Sequence, residues 1–389
     1  MKISKEFVFL KWLCKILPEN ILTHLYVVGG APRDFYLDPN LSIKDLDMVI
    51  DSLNSFGVTS LDIANIIKNN ISGDVSIISD KFLVTHITIN SDFTFDDQNL
   101  KGQKIEIVTA RKESYDKGSH KPTSVEPGTI SDDLKRRDFN FNTLVWKLKN
   151  IRETGPTKEN ILDLLGSGKQ DLDNKEINTP LSPEETFQDD PSRMLRAVRF
   201  SIKYNFKIPN TLRAAIKKMA PEIRKIDAFT LGEIFFGKIL TLPKAMDAIN
   251  LMENLGLMSE LISYIGSKKG NETFVSTMIK NSGIKNLNII FKLFQLGFKG
   301  TLFDNLPNEF LNKLEPDIKS KPHDAIISWI EMYKKPPLNY EHLLEITGFK
   351  KDQIKTITNY AKQIILDNPY ITKNDLDEKV IDHFKNDLS

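Results

Sequence analysis

Asp45 and Asp47 stand at spacing i, i+2 in the segment Lys44-Asp-Leu-Asp-Met-Val-Ile50. On a strand that spacing points both carboxylates to one face. Two carboxylates buried side by side are costly unless a cation neutralises them. Magnesium takes such oxygens together with substrate phosphates, and two ions can clamp an in-line phosphoryl displacement. The alternative is a solvated pair on an edge strand. Glu106, in KIEIVTA (104–110), faces opposite to Ile105 and Ile107. It is either a third acid for the same site or an exposed strand residue.

Upstream, LYVV (25–28) runs into Gly29-Gly30-Ala-Pro-Arg33. Two residues without Cβ let backbone N–H groups approach an anion, and a following helix adds a partial positive charge. Pro32 suits the first position of that helix. Arg33 can add a bidentate phosphate contact. The same residues would equally build a tight strand–helix turn.

Two arginine-rich segments follow. In Leu134-Lys-Arg-Arg-Asp-Phe-Asn-Phe-Asn142, Arg136 and Arg137 suit triphosphate oxygens, Asp138 stands beside them, and Asn142 suits a sugar hydroxyl. A basic helix start would look the same. In Asp189-Asp-Pro-Ser-Arg-Met-Leu-Arg-Ala-Val-Arg-Phe200, Arg193, Arg196 and Arg199 lie along one side of a helix that Pro191 opens. Unneutralised, they would repel one another, and a polyanion along the stripe would relieve that. Asp190 and Arg193 offer an acceptor and a fork of donors to a base edge, unless Asp190 is only a helix cap. From Arg193 to Lys225 there are ten basic residues and one acid. Lys203, Lys207, Arg213, Lys217 and Lys218 in that stretch fit an RNA backbone contact, or a solvated face.

The elements that must position these residues divide the chain. From Leu25 to about Trp146 the apolar runs are short and β-branched: LYVV, DMVI (47–50), DVSII (74–78), FLVTHITI (82–89) and KIEIVTA read as strands. LDIANIIKNN (61–70) reads as a helix between them. Phe7, Leu10, Trp12, Leu13, Ile16 and Leu17 recur at helical period, with Lys11 and Lys15 breaking the apolar run, so the start reads as a structural helix in a cytosolic protein. Ser114–Asp133 is polar, with Gly118, Pro122, Pro127 and Gly128, and reads as a mobile loop. After about Pro183 the pattern is helical throughout, with Pro180–Pro183 the clearest hinge.

Composition bounds the reading. The chain has 389 residues, 40% hydrophobic and 27% charged, which excludes a disordered or fibrous protein. A net charge of +1 excludes holding nucleic acid by bulk charge alone. The single cysteine, Cys14, excludes a disulfide framework and a cysteine-cluster zinc site. No apolar run approaches the roughly 18 residues of a membrane span.

In their order, these motifs resemble the class II tRNA nucleotidyltransferases and bacterial-type poly(A) polymerases of the DNA polymerase beta superfamily. Gly29-Gly30-x-x-Arg33-Asp34 with Asp45-x-Asp47 is similar to the first motif. Arg136-Arg137-Asp138-Phe-x-x-Asn142 is similar to the ribose and phosphate motif, and Asp190-Pro-x-Arg193-x-Leu-Arg196-Ala-x-Arg199-Phe to the nucleotide-selecting one. The likeness covers about residues 22–240. Pro32 stands where the family usually has Val, Asp189 where it has Glu, and Asn140 and Thr143 where it has Thr and Ala. The usual Glu-Arg pair is missing from 229–240.

The resemblance implies an α+β fold: a nucleotidyltransferase head of mixed β-sheet and helices (1–150), then an all-helical neck (151–240), body (241–315) and tail (316–389). It implies addition of C, C and A to a tRNA 3′ end from CTP and ATP, with two Mg2+ ions. Asp45 and Asp47 would bind metal and Glu106 would be the third catalytic acid. Gly29, Gly30, Arg33, Arg136, Arg137, Asp138, Asn142, Asp190, Arg193, Arg196 and Arg199 would serve the nucleotide. No membrane and no protein partner are implied. Poly(A) addition and A-only addition share these motifs, and a non-catalytic RNA-binding protein is the alternative of another class. Residues 366–389 hold six acids and three lysines, which favours CCA addition over a polymerase that must grip arbitrary RNA. His323-Asp324 hints at a metal phosphohydrolase pair, but the nearest upstream histidine is His120.

Overall fold

Alternating β-branched runs in the first half of the chain pair into one mixed sheet in a computed structural model. It describes residues 4–40, 45–79, 83–114, 124–266, 332–333, 335–347, 351–368 and 371–386. The strands are β1 (Leu25–Val28), β2 (Leu46–Ile50), β3 (Val75–Ser79), β4 (Val84–Ile89), β5 (Thr94–Phe95), β6 (Gln98–Asn99), β7 (Lys104–Thr109), β8 (Arg111–Ser114), β9 (Ser124–Pro127), β10 (Val145–Lys147) and β11 (Ile161–Leu162). The seven-stranded sheet runs β11-β10-β1-β2-β7-β4-β3. Only β2 and β7 are parallel neighbours.

Register decides what the sheet presents. Val28 pairs with Asp47, Asp47 with Glu106, and Glu106 with His86. Paired residues share a face, so this row of side chains runs across β1, β2, β7 and β4 on one side. Two residues further along the strands, Tyr26, Val49, Val108 and Val84 form an apolar row on that side. Tyr26, Val28, Val49, Val108, Ala110 and Val145 pack there against Ile130 and Leu134. On the opposite side lie Met48 and Ile107, fully buried.

The helices of this half are α1 (Lys5–Ile16), α2 (Glu19–Leu22), α3 (Gly30–Leu37), α4 (Ser60–Asn69), α5 (Ile130–Lys135) and α6 (Leu148–Thr154). The helix expected over 61–70 is α4, which packs on β3, β4 and β7. Thr59 and Asp62 close a capping box at its start. The N-terminal helix buries Val8, Phe9, Leu10, Trp12, Leu13 and Cys14, a broad apolar face.

One expectation is corrected here. The segment read as a mobile loop, Ser114–Asp133, includes ordered structure at its far end. β9 pairs antiparallel with β8, and α5 begins at Ile130 behind a Thr129–Asp132 capping box. The glycines and prolines masked that capping signal. Residues 115–123 lie outside the described residues. Pro32 is likewise displaced: α3 starts at Gly30, so Pro32 is its third residue, still within the first turn, where no intrahelical N–H is needed.

Downstream come α7 (Gly168–Asn174), α8 (Pro183–Asp189), α9 (Ser192–Tyr204), α10 (Asn210–Met219), α11 (Ala228–Gly232), α12 (Ala245–Asn254) and α13 (Leu257–Gly266). The chain divides into two compact units: 1–234 with 242–261, and 235–241 with 262–389. The expected head and the expected neck as far as residue 234 fall within the first unit, Pro180–Pro183 lies inside it, and residues 235–240 of the expected neck fall in the second. In the second unit, helices Tyr340–Thr347, Ile354–Asp367 and Lys373–Asn386 bury Leu343, Ile357, Ala361, Leu376 and Val380. Tyr360 and His383 stack there with ring centroids 3.8 Å apart. His323 and Asp324 lie outside the described residues. Among the described residues, no helix is long and apolar enough to cross a membrane.

Candidate functional site

β1 ends at Gly29, whose φ of 73° and ψ of −120° suit glycine. A Cβ there would lie 3.3 Å from Arg137 Nη1 and 3.6 Å from Asp47 Oδ2. The turn thus brings backbone, a cation and an acid to one point. Asp47 stands near the start of β2, and Asp45 is the exposed residue just before that strand. Burial pushes the Asp47 carboxyl up from its ordinary value, and the Asp45 charge adds to that. The guanidinium groups of Arg137, Arg33 and Arg196 pull the other way.

That balance fits a divalent cation. Two neighbouring carboxylates, one of them desolvated, are a hard-oxygen donor pair whose repulsion a cation relieves. Among the described residues, no three His, Cys, Asp or Glu side chains converge on a point. The protein would therefore supply two carboxylates, leaving other positions to substrate oxygens and water. Glu106 sits opposite Asp47 in the sheet, with its Oε2 3.6 Å from His86 Nδ1.

Asp133, missed within the presumed loop, organises the arginine pair. It is fully buried and accepts from Nε and Nη2 of Arg136, and from the same two atoms of Arg137 at 3.2 and 3.0 Å. Burial alone would raise its pKa, but the two guanidinium groups hold it below the ordinary carboxylate value. The missed signal is spacing: an acid three and four residues before two arginines on a helix.

A chain of hydrogen bonds then links three motifs. Arg33 Nη1 donates to Asn142 Oδ1 at 2.6 Å, and Asn142 Nδ2 donates to Asp138 Oδ1 at 2.8 Å. Asp138 Oδ2 accepts from Arg196 Nε at 2.7 Å. Burial works to raise Asp138, yet Arg196 and Asn142 hold it below its ordinary value. Arg33 and Asn142 are themselves buried, so Arg33 reaches the site through its field and Asn142 through its neighbours. Arg33, expected at the phosphate, and Asn142, expected at the sugar, here bond to each other and to Asp138.

The stripe on α9 needs the same correction. Its three arginines are not all unneutralised: Arg196 pairs with Asp138, and Arg193 donates to Arg136 O at 2.7 Å and Thr186 O at 3.1 Å. Arg199 differs. Its buried Nε has no hydrogen-bond partner, and burial with the Arg196 and Arg33 charges pulls its pKa down. The rings of Phe200 and Tyr204 lie under these cations, with Phe200 4.6 Å from Arg199 Cζ and 5.2 Å from Arg33 Cζ. Asp190 uses Oδ1 to accept from Ser192 N at 2.9 Å, while Oδ2 faces Arg193 Nε at 3.9 Å. It holds the first residue of α9 from one position before the Pro191 N-cap, and also stands beside the donor fork.

The basic run after α9 is less positive than its sequence. Glu176 meets Lys207 at 3.5 Å, Glu184 meets Lys218 at 3.9 Å, and Glu260 meets Arg224 at 2.6 Å. Arg213 Nε donates to Ile208 O, and Lys203 lies over Tyr204. Acids distant in sequence fold back onto the run, which a linear count does not register. Lys217 is exposed on α10.

The family described as the poly A polymerase head domain matches residues 25–178. The chain is 36% identical over 198 residues to tRNA nucleotidyltransferase cca2 of Schizosaccharomyces pombe, covering 49% of this chain and 37% of that protein. It is 34% identical over 181 residues to the CC-adding tRNA nucleotidyltransferase of Deinococcus radiodurans, covering 46% of this chain and 41% of that protein. The matched part is thus less than half the length of these two relatives. A solved structure, "The structure of CCA-adding enzyme apo form II", superposes with a TM-score of 0.57 at 19% identity, over 98% of this chain and 96% of that one. That likeness shows the fold.

Proposed function

We infer that this chain, a member of the CCA-adding and poly(A) polymerase family through its head domain, adds C, C and A to a tRNA 3′ end from CTP and ATP. The observation that carries the reading is Asp47. It is a desolvated acid beside the Gly29 turn, with arginines of three separate motifs acting on it.

In the reaction, the RNA 3′-hydroxyl attacks the α-phosphorus of the nucleotide, a new P–O bond forms, and the bond to pyrophosphate breaks. Asp45 and Asp47 would hold two Mg2+ ions, which when bound make the hydroxyl more acidic and offset charge on the leaving phosphates. The Gly29 turn brings the backbone close to Arg137, whose guanidinium Asp133 orients and which would meet a phosphate. Arg199, unneutralised within the stripe, offers its charge to the triphosphate. Asp190 and Arg193 present acceptor and donor together, so protein rather than a nucleic acid strand reads the base. Lys203, Lys207, Arg213, Lys217 and Lys218 contribute to holding the RNA backbone. The cytoplasmic setting belongs to the same proposal.

The CC-adding relative motivates one second reading, addition of C, C without the final A. The test offers a tRNA lacking its terminus with CTP alone, ATP alone and both. Two residues added from CTP, and a third only with ATP present, supports CCA addition. A stop after two residues with both nucleotides supports the second reading, and a long A ladder rejects both.

A further inference from the structure

Arg33 is clamped on every side, and one member of the clamp belongs to none of the motifs. Asp34 Oδ1 accepts from Arg33 Nε at 2.8 Å and lies 2.8 Å from its Nη2 as an ion pair. Asn142 takes Nη1, and Phe200 lies against one part of the guanidinium. The remaining contact is Tyr204, the last residue of α9. Its ring centroid lies 5.1 Å from Arg33 Cζ, and its Oη donates to the same Asp34 Oδ1 at 2.9 Å. Tyr204 therefore holds Arg33 twice: by its ring directly, and by its hydroxyl through Asp34.

The placement of Tyr204 gives this consequence. α9 carries Arg193, Arg196 and Arg199 on its first two turns and Tyr204 at its end. Arg196 bonds Asp138, which bonds Asn142, which bonds Arg33. Tyr204 closes that path into a ring returning to α9. Arg196 and the Phe200 ring hold the first part of α9, and Tyr204 adds a hold on α3 at the far end of the helix. We propose that Tyr204 is a positioning residue for the nucleotidyl transfer inferred above. It fixes the register of α9 against the Gly29 turn, so that the arginine stripe and Asp47 keep their alignment. The proposal rests on that functional reading. Misalignment of this kind penalises the transition state more than ground-state binding.

Two variants of the full chain test it, Tyr204→Phe and Tyr204→Leu. Tyr204→Phe keeps the ring over Arg33 and removes only the bond to Asp34. With a tRNA lacking its terminus, it should lower kcat about fivefold, the scale of one lost hydrogen bond, and leave the KM for CTP within about twofold. Tyr204→Leu, which also removes the ring, should lower kcat further. A wild-type kcat for Tyr204→Phe overturns the proposal. So does a loss that disappears once rates are divided by the folded fraction from a thermal melt. A second readout does not need activity: proton exchange at Arg33 Nε, followed by 15N NMR, should quicken about tenfold in Tyr204→Phe. Unchanged exchange overturns the clamp. A wild-type chain that extends no tRNA sinks the function inferred above, while the exchange measurement still decides the role of Tyr204.

Discussion

Both Nε and Nη2 of Arg196 converge on a single oxygen, Oδ2 of Asp138, at 2.7 and 2.6 Å, across 58 residues of sequence. The other oxygen of Asp138 serves Asn142 Nδ2 and Phe139 N. This carboxylate is the joint between the ribose and phosphate motif and the base-reading helix. Asp138→Asn should destabilise the chain by about 1–3 kcal/mol in urea at neutral pH, because it leaves the partly exposed Arg196 guanidinium without its counter-charge. The folded pKa lies below the ordinary 3.8, so the pair stabilises fully above 3.8 and is lost as pH falls through the lower folded value. The gap between wild type and variant should therefore close in strong acid.

Asp47 has the opposite sign. Its folded pKa is raised, so its ionisation works against folding as pH rises through that value. Asp47→Asn should keep or raise the melting temperature of the metal-free protein. The same variant should lose incorporation and lose any thermal shift caused by Mg2+. A lower melting temperature with the Mg2+ shift intact would show that the carboxylate is structural.

Arg199 should trade stability against binding. Replacing it by Met removes a guanidinium whose buried Nε has no partner, beside Arg196 and Arg33. The variant should melt no lower than wild type, and should bind CTP about tenfold more weakly by calorimetry. Weaker folding with unchanged CTP affinity would place Arg199 in the scaffold.

Arg193 is anchored by two backbone carbonyls and stands beside Asp190. Arg193→Ala should narrow the ratio of kcat/KM for CTP over GTP by about tenfold, as expected for one lost donor pair. An unchanged ratio would remove it from base reading.

Lys217 is exposed on α10. Lys217→Glu should weaken tRNA binding and reduce the slope of log affinity against log salt by about 1 if it meets a phosphate. No change in slope would move the RNA path elsewhere.

The elements that the sequence discloses are those with local causes. LYVV becomes β1 and KIEIVTA becomes β7 because alternation and β-branching act over a few residues. The facing of Glu106 follows from alternation within its own strand, while its place opposite Asp47 depends on a parallel pairing between residues 59 positions apart in the chain. Asp133 was hidden because turn residues around it looked like a loop, although the Thr129–Asp132 capping box is local. Tyr204 carries no local mark at all, since its partner Asp34 is 170 residues away. The arginine stripe is legible in the sequence, but the pairing of its Arg196 with Asp138 is not, because charge pairing between segments is a property of the fold.

The most direct measurement is single-turnover extension of a tRNA lacking its terminus, with Mg2+, CTP and ATP, by wild type and Asp47→Asn side by side. The account predicts three added residues from the wild-type chain and none from the variant, with both proteins equally folded. Extension by Asp47→Asn at the wild-type rate would contradict it.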